Sequence, residues 1–117
     1  SIIHDLDIRQ VVDILRSSGA VAISVNTERI VSTSELTCNG PTVQINKNKY
    51  PVPYVIEAVG DIVLMKKMLE EDFYLQGRII SNISFKLEIL DEVIIPGFSQ
   101  YDRIEHYIDA LKGGVLQ

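Results

Sequence analysis

The residues of this chain that could carry chemistry are concentrated in RIVSTSELTCNG, residues 29–40, which joins an arginine, a run of Ser and Thr hydroxyls, the sole cysteine and an Asn-Gly pair. A guanidinium on a polar strand face grips a carboxylate or phosphate in a bidentate fork, and nearby hydroxyls complete such a site. Arg29, Ser32, Thr33, Ser34 and Asn39 are therefore the candidate ligand-binding residues. The competing reading of Arg29 is an intramolecular pair with Glu28, Glu35 or Glu57, since surface pairs of this kind are common and weak. The hydroxyls are equally at home on a polar edge strand, where β-branched residues fit.

Nucleophilic and metal chemistry find less support. A catalytic Cys38 needs a histidine and a group to orient it, and the two histidines, His4 and His106, stand near opposite ends. Cys38 shares strand parity with Leu36, so the expectation is an inert thiol turned inward. No G-x-S-x-G elbow, P-loop or S-x-x-K pattern is present in the serine run. His4, Asp5 and Asp7 sit together without a second histidine or cysteine at ligand spacing, so no metal is expected. No cofactor motif occurs, and the acidic run Glu70-Glu71-Asp72 reads as solvated charge at a helix end. These residues point away from an enzyme.

The 117 residues, 46% of them apolar, suffice for one domain. A net charge of −5 argues against nucleic acid and anionic membrane surfaces. The basic clusters, Lys47 with Lys49 and Lys66-Lys67, read as solvated charge. One cysteine makes no internal disulfide. No apolar run reaches the ~18 residues of a spanning helix. The chain opens on Ser1, not Met, and is expected to be a piece of a longer polypeptide.

The elements that would position these residues are legible from periodicity. Ile8, Val11, Val12 and Leu15 mark a helix over residues 7–18, with Asp7 as N-cap and Gly19 as its stop. Residues 20–25 read as an inner strand and residues 29–38 as an extended one ending in the Asn-Gly-Pro turn. TVQIN and KYPV flank a short hairpin loop, with Val43 and Ile45 inward. Pro51 and Pro53 place the next residues at an edge. YVIEAV, residues 54–59, reads as a central strand. Asp61 starts a helix through about Glu71; a second, near residues 73–83, presents Phe73, Ile80 and Ile83 inward. Residues 86–90 alternate as a strand. That strand-helix-strand order implies a right-handed crossover between parallel neighbours.

In the tail, Tyr101, Ile104, Ile108 and Leu111 recur at three- and four-residue steps, which predicts an amphipathic helix and a candidate interaction face. The fold class is thus α+β, a two-layer mixed sheet of five or six strands with helices mainly on one face. Residues 1–98 form the domain, and residues 99–117 the C-terminal helix and tail.

HDLDIRQVVDILRSSGAVAISVNTERIVSTSELTCNGPTVQIN followed by PYVIEAVGD resembles the bacterial family called domain of unknown function 881. The resemblance runs over residues 2–96 and is most specific at SGAVAISVN, ERIVSTSE, CNGPT and PYVIEAVGD. It implies an extracytoplasmic domain of a membrane-anchored envelope protein, mainly of Gram-positive bacteria, behind one transmembrane helix and a coiled coil that lie outside this chain. It implies no biochemical activity. Ile62-Val63 replaces the family's usual Pro-Asp, and the tail from Ser99 departs from its usual ending.

The function expected is a non-catalytic interaction or assembly module, its partner another envelope protein or a second copy. The alternative is a small-anion sensor with a pocket around Arg29 and the following Ser/Thr residues.

Overall fold

The computed structural model describes residues 3–97 and the backbone of residues 108–116. Helix α1 (Asp5–Ser17) begins two residues before the expected start, so Asp7 lies inside the helix and is not its cap. From there its carboxylate still accepts the His4 N–H, at 2.8 Å. The apolar stripe is as read: Ile8, Val11, Val12 and Leu15 are buried. Gly19, at φ +85°, ends the helix in a left-handed conformation. The Ala20 N–H then reaches back to the Leu15 carbonyl and satisfies the last turn.

Strands β1 (Ala22–Val25) and β2 (Glu28–Arg29) form a hairpin through Asn26 and Thr27. Both turn residues have positive φ, the geometry that matches strand twist in a two-residue loop. β2 lasts two residues because the chain then bends. Ser34 Oγ accepts the Val31 N–H at 2.9 Å, and the Ser34 N–H donates to the Val31 carbonyl at 3.0 Å. The continuous strand expected over residues 29–38 is therefore broken by a turn at residues 31–34. Pairing resumes in β3 (Leu36–Asn39), β4 (Thr42–Ile45) and β5 (Asn48–Tyr50), a separate antiparallel ribbon. Pro51 and Pro53, which have no N–H to donate, divide β5 from β6 (Tyr54–Val59).

α2 (Ile62–Glu71) is capped by Asp61, which accepts the Leu64 N–H at 3.0 Å. After it, Asp72 caps α3 (Phe73–Ile80) through the Leu75 N–H. β7 (Glu88–Val93) and β8 (Ile108–Leu116) complete the main sheet, in the order β2-β1-β6-β8-β7.

The architecture is α+β, but two corrections apply to the sheet. The strands divide between a five-stranded sheet and a three-stranded one, not a single layer, and every neighbouring pair is antiparallel, not mixed. β6 and β7 run parallel to each other only across β8, so the crossover skips a position.

A third correction concerns the tail. Ile108 and Leu111 lie in strand β8, not a helix, while Tyr101 and Ile104 fall outside the described residues. The physical reason is pairing: β8 satisfies the backbone of both β6 and β7, whose facing edges would otherwise lack partners. Gly113 sits where the register slips between Ile56↔Gly114 and Glu57↔Lys112.

Buried side chains of all three helices join Ile23, Val25, Ile56 and Ala58 in one core. Ala22, Val59, Val93 and Ile95 form a smaller cluster, which among the described residues draws on strands and the segment after β7 and on no helix. Tyr54 fastens the two sheets together: fully buried, its hydroxyl donates to the Tyr50 carbonyl at 2.7 Å and accepts the Val43 N–H at 3.1 Å.

The inward stripe expected of α3 is also corrected. Phe73 and Ile80 are 94% and 82% exposed, while Leu75 and Ile83 are buried. The rotation of α3 is set by Tyr74 and Arg78, which reach α1.

Candidate functional site

Of the serines that follow it, Arg29 meets Ser34 through its backbone, its carbonyl accepting from the Ser34 hydroxyl at 3.5 Å. Its Nη1 donates to the Pro96 carbonyl at 3.3 Å, tying β2 to the segment after β7. Asn39 ends β3, exposed, its carbonyl accepting from Thr42 Oγ1 at 2.7 Å. Thr33 borders a shallow hollow with Asn46, Lys47 and Asn48. Ser32 and Ser34 face another way, into a cavity of about 170 Å³ shared with Arg9, Asp13 and Arg16 of α1. Val12, Ile30 and Leu36 line its apolar side. Arg9 donates to the Leu36 carbonyl and pairs with Asp5 at 3.5 Å. Of the five residues proposed from sequence, two thus share a cavity, and its arginines come from α1. Arg9, Asp13 and Arg16 lie on one edge of that helix at i, i+4 and i+7. That spacing is visible in the sequence; the loop opposite is not.

Cys38 is exposed, contrary to the inward reading. It lies on β3, an edge strand of the small ribbon, beside the start of α1. There the Asp5 N–H donates to Sγ at 3.2 Å and the thiol donates to Asp5 Oδ1 at 3.1 Å. The backbone N–H favours the thiolate, but burial and the neighbouring Asp5 and Asp7 carboxylates outweigh it and push the thiol above its ordinary pKa. Such a thiol is a poor nucleophile at neutral pH. Among the described residues, no three His, Cys, Asp or Glu side chains are placed to hold a metal ion, and no helix is long and apolar enough to cross a membrane.

A larger groove, about 450 Å³, runs between α1 and the α2–α3 junction. Ile14, Met68 and Phe73 supply apolar surface, with Asp13, Glu71 and Asp72 carboxylates along it. The walls are held by Asp7, the one fully buried carboxylate among the described residues, to which Arg78 donates from Nε at 2.7 Å and Nη2 at 3.1 Å, and Tyr74 from its hydroxyl at 2.9 Å. With the His4 N–H, four donors compensate the buried charge. Burial and the bond to Asp7 both raise the Tyr74 pKa. Gln10 of α1 adds a bond to Asp72 at 3.1 Å.

A family model described as a bacterial protein of unknown function (DUF881) matches residues 1–107. The chain belongs to this family. It is also 42% identical over 60 residues to the UPF0749 protein YlxW of Bacillus subtilis (strain 168), an alignment covering 51% of this chain and 26% of that protein. The matched part is thus about a quarter of the relative's length. No solved structure matches the chain. The family description carries no activity, so the roles of residues in this DUF881 domain rest on geometry.

One more polar cluster in the DUF881 domain joins its two sheets. The Glu28 carboxylate of β2 accepts from the Tyr50 hydroxyl, from Asn48 Nδ2 at 2.7 Å and from Asn46 Nδ2 at 3.4 Å. Burial alone would raise the Glu28 pKa, but the three donors outweigh it and hold it below the ordinary value of 4.5. Hydrogen bonding to Glu28, with burial, pushes Tyr50 up to about 12. These groups are saturated by one another, which assigns them to the architecture of the fold.

Proposed function

We propose that this domain is a non-catalytic interaction module of a membrane-anchored bacterial envelope protein, and that it docks a partner protein's segment carrying basic and apolar side chains. The observation that carries this reading is the groove beside α1. Phe73 stands 94% exposed at its rim, with Met68 beside it 41% exposed. Large apolar side chains grouped on a surface are characteristic of interaction sites. Asp13, Glu71 and Asp72 give the groove an acidic border, which selects a basic partner by charge and disfavours acidic ones. An amphipathic segment laid into such a groove is a recurrent mode of recognition. The envelope location and the anchor outside this chain rest on the family resemblance. The non-catalytic reading draws support from the raised pKa of Cys38.

Photo-crosslinking from position 73 in the full-length protein, in its own cells, tests the proposal. A discrete adduct to another protein is expected at position 73 and not from the remote position 39, and it should be lost on raising salt or in Asp13→Lys/Glu71→Lys. Equal crosslinking from both positions, or an adduct only to a second copy of the chain, would overturn the partner assignment.

A further inference from the structure

We propose that the cavity between α1 and the loop of residues 30–35 binds a small organic monocarboxylate, held by Arg16 and Ser32 with Arg9 behind them. This inference is independent of the docking groove. Its observations are the placement of two guanidinium groups and a hydroxyl around an apolar-sided cavity, and the division of those groups into occupied and free.

Arg9 is occupied: it donates to the Leu36 carbonyl and pairs with Asp5, so its position is set by the fold. Ser34 is also occupied, accepting the Val31 N–H and so fixing the loop. Arg16 differs. Its exposed guanidinium has no hydrogen bond or ion pair among the described residues, and neither has the Ser32 hydroxyl across the cavity. These are the donors left for a ligand, and a planar guanidinium fork matches a carboxylate.

Charge and size narrow the ligand class. Arg9 is paired with Asp5 outside the cavity, which leaves Arg16 as the single lining cation open to a ligand, with Asp13 beside it. That balance suits a single negative charge better than a phosphate dianion. The side chains of Val12, Ile30 and Leu36 reach the cavity but are themselves buried, so they leave room for only a small apolar group beside the carboxylate. The volume, about 170 Å³, is below the roughly 300–1,000 Å³ typical of drug-sized ligands. A carboxylate on a short apolar chain satisfies all three conditions. Arg29, bonded to the Pro96 carbonyl, takes no part.

The test is amide NMR of the chain titrated with sodium butyrate, inorganic phosphate and butylammonium chloride at constant ionic strength. Butyrate is expected to give saturable shifts at residues 31–34 and 12–16. Its affinity should fall roughly tenfold or more in Arg16→Gln and in Ser32→Ala, as loss of a charge-assisted hydrogen bond implies, and be retained in Arg29→Gln. Both cavity variants alter exposed side chains, so their spectra will report an intact fold. Phosphate binding as tightly as butyrate at the same amides would overturn the carboxylate assignment. Shifts that never saturate, or that survive Arg16→Gln, would overturn the site itself.

Discussion

Glu28 and Tyr50 show how two residues distant in sequence determine a response to pH. With its folded pKa lowered, Glu28 contributes stability that is present above its ordinary 4.5 and lost as pH falls through the folded value. Tyr50 is raised to about 12, so its contribution is present below its ordinary 10.0 and lost as pH rises through about 12. The clamp should therefore stabilise the fold fully between about pH 4.5 and 10. Urea midpoints measured against pH are expected to lose part of both the acid and the alkaline slope in Tyr50→Phe and in Glu28→Gln, since each group shifts the other. Cys38 gives a second prediction at this scale. Asp5→Asn removes a carboxylate that raises the thiol pKa and keeps the backbone N–H that lowers it. Alkylation of Cys38 at neutral pH is thus expected to be slower than that of free cysteine, and faster in Asp5→Asn. An unchanged rate would sink the Asp5–Cys38 contact.

Among elements, the glycines at the end of β6 and within α3 have opposite roles. A Cβ on Gly60 would lie 3.0 Å from both Ala20 Cα and Gly19 O, so the backbone of that turn would have to give by a few tenths of an ångström. The end of β6 thereby packs directly against the turn after α1. Gly60→Ala should cost about 1–3 kcal/mol, as other overpacked sites do. Gly77 meets nothing within 4 Å and lies in the interior of α3. Gly77→Ala should instead stabilise by about 0.5–1 kcal/mol, because glycine loses more backbone freedom on folding. Urea unfolding of the two variants measures both signs. The serine loop was partly legible at this scale: of the candidate residues Arg29, Ser32, Thr33, Ser34 and Asn39, the structure brings Ser32 and Ser34 to one cavity, while the Arg29 guanidinium bonds to the Pro96 carbonyl. Adjacency in sequence did not decide this, because the turn at Val31–Ser34 redirects the chain after β2.

For the whole molecule, the decisive element is β8. It lies between β6 and β7 although it comes last in the chain, and the family match stops at residue 107, just before it. A chain ending at residue 107 would leave the facing edges of β6 and β7 unpaired. It is expected to be less stable and to self-associate through those edges. Circular dichroism on heating and sedimentation velocity would show both effects. A truncated chain that stays monomeric and equally stable would remove β8 from the sheet.

What the sequence determined by itself was local. The stripe of α1 with its Gly19 stop, the β4–β5 hairpin with Val43 and Ile45 inward, and α2 behind Asp61 each follow from periodicity, capping or turn chemistry within a few residues. Tertiary structure decided what depends on distant partners. The Asp7 carboxylate sets the rotation of α3 by holding Tyr74 and Arg78, which turns Phe73 and Ile80 outward against their apolar character. The spacing of Ile108 and Leu111 suits a helix as well as a strand, and two strand edges requiring hydrogen bonds made it a strand. Arg9 and Arg16 meet Ser32 only because α1 packs beside a loop that starts 14 residues after Arg16, and no local rule encodes that meeting.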